Sequence, residues 1–116
     1  MILEYEEIWK LKHLLEHYKI PFTWNKDHFD GCHIMYPQKG ETICSVVQFD
    51  GSYGGKHNLL EIQGLMTKKE EKETCDTVLG YLTAEDVLKR IRKNYKILQK
   101  NKKRELENDK SKSRTN

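Results

Sequence analysis

Apolar residues all but stop at Leu98. From Gln99 to Asn116, Leu106 is the single apolar side chain, so no face there can be buried to offset the entropy of ordering the chain. Whatever folds around a core must come from residues 1–98. Of the 42 hydrophobic residues, 41 lie in that stretch, which lifts its apolar share from 36% to roughly 42%, near the ordinary globular range. A unit of this length encloses one core without disulfides or metal. The expected organisation is one domain over 1–98 and a basic tail over 99–116, either disordered or a frayed helix.

Within the domain the hydrophobic period changes once at each end. A helix is expected from about Glu4 to Lys19, with Ile8, Leu11, Leu15 and Tyr18 on its buried stripe and Leu14 at the edge. It ends before Ile20-Pro21, because a residue preceding proline is driven out of the α region. Extended runs follow at Phe22–Trp24, Cys32–Tyr36, Thr42–Phe49 and Asn58–Leu65. Pro37 to Glu41 reads as a compact hairpin link and Asp50 to Lys56 as a longer glycine-rich loop. In the third run Ile43, Ser45, Val47 and Phe49 share one face, and Cys44, Val46 and Gln48 the other. Neither face is cleanly polar, which predicts a central strand. Met66 to Asp76 reads as a charged connector, after which Val78 to Leu82 return to the core. A second helix starts at Thr83, with Asp86 three residues on in a capping-box arrangement, and buries Val87, Leu88, Ile91, Tyr95 and Leu98. The predicted fold class is α+β: an antiparallel sheet of about four strands with the N-terminal and C-terminal helices packed on one face.

Charge is divided along the same chain. Residues 1–82 hold nine Lys/Arg against thirteen Asp/Glu, and residues 83–116 hold twelve against five, so the net +3 is −4 plus +7. An acidic body with a basic end suits an anionic partner. Three cysteines, Cys32, Cys44 and Cys75, do not make a secreted disulfide framework. With no apolar leader and no run approaching the ~20 residues that span a bilayer, a cytoplasmic protein without membrane integration is expected. Lys outnumbers Arg seventeen to four and Ala84 is the single alanine, a usage that suits an AT-rich coding genome.

Three patterns resemble catalytic or ligand sites. His13-Leu14-Leu15-Glu16-His17 fits the HxxEH arrangement of a zinc peptidase, but both histidines lie nearly opposite the Ile8/Leu15 stripe, and so on a solvated face. Asp50 to His57 is glycine-rich, yet it lacks Walker spacing and precedes a strand instead of a helix. Its Ser52, Tyr53, Lys56 and His57 are the least structurally constrained residues of the body and form the candidate binding loop. Cys44 with His33 or His57 is a conceivable thiol and base, against which stands the ordinary role of a buried cysteine as a small hydrophobe. No catalytic residue, metal or cofactor is assigned, and a non-enzymatic protein is expected.

The second helix carries Lys89, Arg90, Arg92, Lys93 and Lys96 outside its buried set, continued by Lys100, Lys102, Lys103 and Arg104. Such a surface can neutralise phosphates without reading sequence. The same cations also complement a helix dipole and keep a small protein soluble, and the one aromatic among them, Tyr95, belongs to the buried set, which leaves none interleaved to stack on bases. Trp9 sits either on the outer face of the first helix near His13 and His17 or against Pro21 or a strand edge; the sequence leaves that choice, and the oligomeric state, open.

Four blocks form a set: Cys44-Ser45-Val46-Val47-Gln48, Gly51-Ser52-Tyr53-Gly54, Leu59-Leu60-Glu61-Ile62 with Gly64-Leu65, and Gly80 to Val87. The set resembles small proteins encoded by phages and prophages of low-GC Gram-positive bacteria, with blocks of the type CSxxQ, GSYG, LLEIxGL and GYLTAExV, over about residues 20 to 92. The resemblance carries over no catalytic residue. It implies an accessory protein of a mobile element, acting in the bacterial cytoplasm on a host protein or nucleoprotein complex, for instance by inhibiting a defence system such as CRISPR. Direct, salt-sensitive nucleic-acid binding through the basic helix is the alternative, and a small zinc-dependent hydrolase a remote one.

Overall fold

A computed structural model of the chain describes residues 5–28 and 31–114. Helix α1 (Glu6–His17) is followed by strands β1 (Thr23–His28), β2 (Gly31–Tyr36), β3 (Cys44–Gln48) and β4 (Leu60–Gln63). A short helix α2 (Lys68–Thr74) precedes β5 (Val78–Leu82), and α3 (Ala84–Arg114) closes the chain. The strands form one antiparallel meander in the order β1-β2-β3-β4-β5, which places β3 at the centre as its two-sided apolar pattern predicts. The fold is α+β, as expected, with a fifth strand where Val78 to Leu82 rejoin the core.

Alternation along the strands sorts the side chains. Cys32, Ile34 and Tyr36 of β2, Cys44, Val46 and Gln48 of β3, and Leu60 and Ile62 of β4 are buried. All of them but the polar Gln48 join Ile8, Leu11 and Leu15 of α1 and Ala84, Val87, Leu88 and Ile91 of α3 in one hydrophobic cluster. Burying an aliphatic side chain contributes about 1.5–3 kcal/mol, so the helix-facing side of the sheet carries the stability. The other side is more open: His33, Met35, Ser45 and Glu61 are half-buried and Gln63 is exposed.

Helix α1 begins at Tyr5, which supplies no side-chain cap, so its free N–H groups need other acceptors. The Glu7 N–H donates to Asn58 Oδ1 at 3.2 Å and the Ile8 N–H to Gln48 Oε1 at 2.9 Å. Gln48 Nε2 in turn donates to Asn58 Oδ1 at 2.7 Å. Glu7 then accepts the Ala84 N–H at 2.6 Å, while Thr83 and Asp86 exchange the two hydrogen bonds of a capping box at 3.2 and 3.3 Å. The starts of α1 and α3 are thereby tied side by side. The helices run parallel from there, with Lys10 paired to Glu85 and Arg92 over Tyr18 farther along.

Two expectations need correcting. The connector Met66 to Asp76 contains α2, which a capping box between Thr67 and Glu70 starts; none of its described residues is buried, so hydrophobic periodicity gave no sign of it. The glycine-rich stretch 50–57 is no open loop either. Ser52 is buried, its hydroxyl donating to the Phe49 carbonyl at 2.7 Å and accepting the Phe49 N–H at 3.0 Å, and a 3₁₀ turn spans Gly55–His57. A Cβ at Gly55 would stand 1.9 Å from the Phe49 carbonyl oxygen, so this turn closes only around glycine.

The boundary drawn at Leu98 marks where α3 leaves the core, and the helix itself runs on to Arg114. Extending an established helix adds a hydrogen bond per residue and needs no new nucleus. Gln, Lys, Arg, Glu and Leu are all good helix formers. At about 1.5 Å per residue, α3 is about 46 Å long, and residues 99–107 are exposed throughout.

Candidate functional site

The residues singled out in the 50–57 stretch do not share one surface. Ser52 faces inward, whereas Tyr53, at 52% exposure, Lys56 and His57 face solvent. The Tyr53 N–H donates to Glu61 Oε1 at 2.8 Å and its carbonyl accepts the Tyr81 N–H at 3.2 Å. That fastens the turn to β5, where the His57 and Tyr81 rings lie 6.1 Å apart.

The catalytic look-alikes come apart. His13 and His17 are exposed; His13 Nδ1 stands 3.8 Å from Glu16 Oε1, and His17 sets its ring against Tyr18 at 4.9 Å. Among the described residues, no three His, Cys, Asp or Glu side chains converge as metal ligands would. Cys44 faces the core, its thiol 3.9 Å from the Gly64 carbonyl and pushed up to about 12 by burial, against a smaller opposing pull from Arg90. His33 lies on the other face of the sheet, 2.6 Å from Ser45 Oγ. Sulfur and imidazole are therefore separated by the sheet itself. Trp9 meets both descriptions: it is partly exposed with its ring 6.4 Å from His13, and it is edge-on to Trp24 of β1 at 4.8 Å, with the Lys12 ammonium 5.8 and 5.6 Å from the two indole rings.

Of the five basic residues assigned to the outer face of α3, two are engaged. Arg90 forms a bidentate pair with Glu70 at 2.7 and 2.5 Å and donates to the Leu65 carbonyl at 3.0 Å. That guanidinium holds the Glu70 carboxyl well below the usual range, at about 2. Arg90 therefore anchors α2 instead of facing a partner. Arg92 lays its guanidinium 4.0 Å over the Tyr18 ring. Lys89, Lys93 and Lys96 are exposed.

Those three belong to a longer series. Lys89, Lys93, Lys96, Lys100 and Lys103 recur at alternating spacings of four and three residues, and at 100° per residue they fall within roughly 80° of one another. Val87, Ile91 and Leu98 occupy the opposite side of the helix, so docking of that side on the sheet turns the lysines outward. All five are exposed. They make a straight ammonium stripe about 21 Å long. The 4-3 spacing stood in the sequence, but it crosses the expected domain boundary at residue 98 and takes on meaning only once α3 is continuous. Lys102 and Arg104 lie off this line.

Comparison with protein-family models, curated proteins and solved structures finds no match.

Proposed function

We propose that this chain is a non-enzymatic accessory protein that docks onto a nucleoprotein complex, with the lysine stripe of α3 set against phosphates. The observation that carries the reading is the unbroken line Lys89, Lys93, Lys96, Lys100 and Lys103 on a helix that projects beyond its own core. Lysine ammonium groups are point charges that bind phosphate oxygens without demanding a base sequence. A non-catalytic role is supported by what the block residues do: Gln48, Ser52 and the Thr83–Asp86 cap are spent on internal hydrogen bonds. The resemblance to phage and prophage proteins favours a bacterial host complex in the cytoplasm, and a defence effector such as a CRISPR complex presents both protein and nucleic acid.

Titration against unrelated oligonucleotides by fluorescence anisotropy tests the stripe. Five phosphate contacts give a slope of log K against log salt of about −4 to −5 for duplex and about −3 to −4 for a single strand. Truncation after Leu98 removes Lys100 and Lys103 and should flatten the duplex slope by about 2. Binding unchanged by salt, or by reversing all five lysines to glutamate, overturns the reading. Capture of the same host complex after nuclease treatment would shift the contact to protein.

A further inference from the structure

We infer that the ligand of the lysine stripe is a single strand of nucleic acid, one base of which stacks against the ring cluster His17–Tyr18–Arg92 beside it. This rests on the reading of the stripe as a phosphate-binding surface and adds to it the chemistry of the strand. Lysines alone cannot distinguish a duplex from a single strand, because both present phosphates. A stacking platform can, because only an unpaired base offers its π face.

The exposed aromatic that the basic segment lacks, its Tyr95 being packed against the core, is supplied by α1 in space. Tyr18 ends α1, 40% exposed, and lies under the Arg92 guanidinium at 4.0 Å, with the His17 ring perpendicular to it at 4.9 Å. Arg92 lies three residues after Lys89 and four before Lys96, spacings that put side chains about 5–6 Å apart on one helix face. A backbone lying along the stripe therefore passes within one side-chain length of a planar cation already held 4.0 Å over a phenol ring. Orienting Arg92 in advance lowers the entropy lost when a base joins the stack. Trp9 and Trp24, another ring pair near the surface, are on the β1 side of α1 and are not part of this track.

Affinities of the full chain are compared at one salt concentration for a dT oligonucleotide, an abasic strand of equal phosphate number and a duplex. The dT strand should bind about 5- to 150-fold tighter than the abasic strand, the range of one base–aromatic stack. Tyr18→Ala and Arg92→Lys should abolish that difference, and Tyr18→Phe should keep it; none of the three should alter duplex affinity by more than about twofold. Arg92→Lys retains the charge, so its loss reports the planar stack. Equal binding of dT and abasic strands overturns the inference while leaving the stripe intact if the salt slope holds. Absence of any salt-dependent binding overturns the stripe and the inference together. A Tyr18→Ala variant that weakens all three ligands alike would mark Tyr18 as structural and also defeat the inference.

Discussion

Gln48 shows how much a single residue can organise. It is fully buried on the helix-facing side of the central strand and binds both the free end of α1 and Asn58. Gln48→Leu fills similar space but leaves the Ile8 N–H without an acceptor in the core, and each such group costs about 1–3 kcal/mol. Urea unfolding should show a lower midpoint with an unchanged slope. The strand alternation placed Gln48 with Cys44 and Val46, so its face was legible. Its burial was not, since glutamine is ordinarily exposed and the partners that satisfy it lie 10 and 40 residues away. Ser52 shows the reverse case, a hydroxyl singled out for a binding loop that is buried and bonded to both backbone groups of Phe49. The thiols divide in the same way: Cys32 and Cys44 are buried and Cys75 is exposed. A disulfide reagent at pH 8 should therefore titrate Cys75 quickly and reach the other two only after denaturation, since the Cys44 thiol sits at about 12.

Among the elements, α2 depends on one ion pair. None of its described residues is buried, so its capping box starts it and the Arg90–Glu70 fork holds it to α3. Glu70→Gln should raise amide exchange across residues 68–74 and cost about 1 kcal/mol at neutral pH, as expected for a partly exposed bidentate pair. The pH dependence has a definite sign. Because folding depresses the Glu70 carboxyl to about 2 from an ordinary 4.5, its contribution is fully present above that ordinary value and fades as pH falls through about 2. The stability gap between the wild-type chain and Glu70→Gln should therefore be constant near neutrality and close between pH 4.5 and 2. The Thr67-to-Glu70 start signal was present in the sequence. With no apolar stripe behind it, only docking against Arg90 gives the helix a place.

Across the whole molecule, stability and charge reside in different parts. Residues 99–107 of α3 are exposed, so truncation after Leu98 should change unfolding free energy by no more than about 0.5 kcal/mol. The same truncation should sharply weaken binding to polyanions, a separation that parallel denaturation and anisotropy measurements would establish. The start of α3, the strand alternation, the two-sided apolar pattern of β3 and the opposed charges of body and tail were legible in the chain, because each is carried by neighbours within a few residues; the start of α1 was not, since Gln48 and Asn58 accept its N–H groups from 40 and 51 residues away. Which cations are free to meet a partner was not. Arg90 is withdrawn by Glu70, twenty residues earlier, and Arg92 is fixed by Tyr18 from the far end of the chain. Those pairings exist because α1 and α2 dock on either side of α3, and no local pattern encodes the angle at which two helices meet a third.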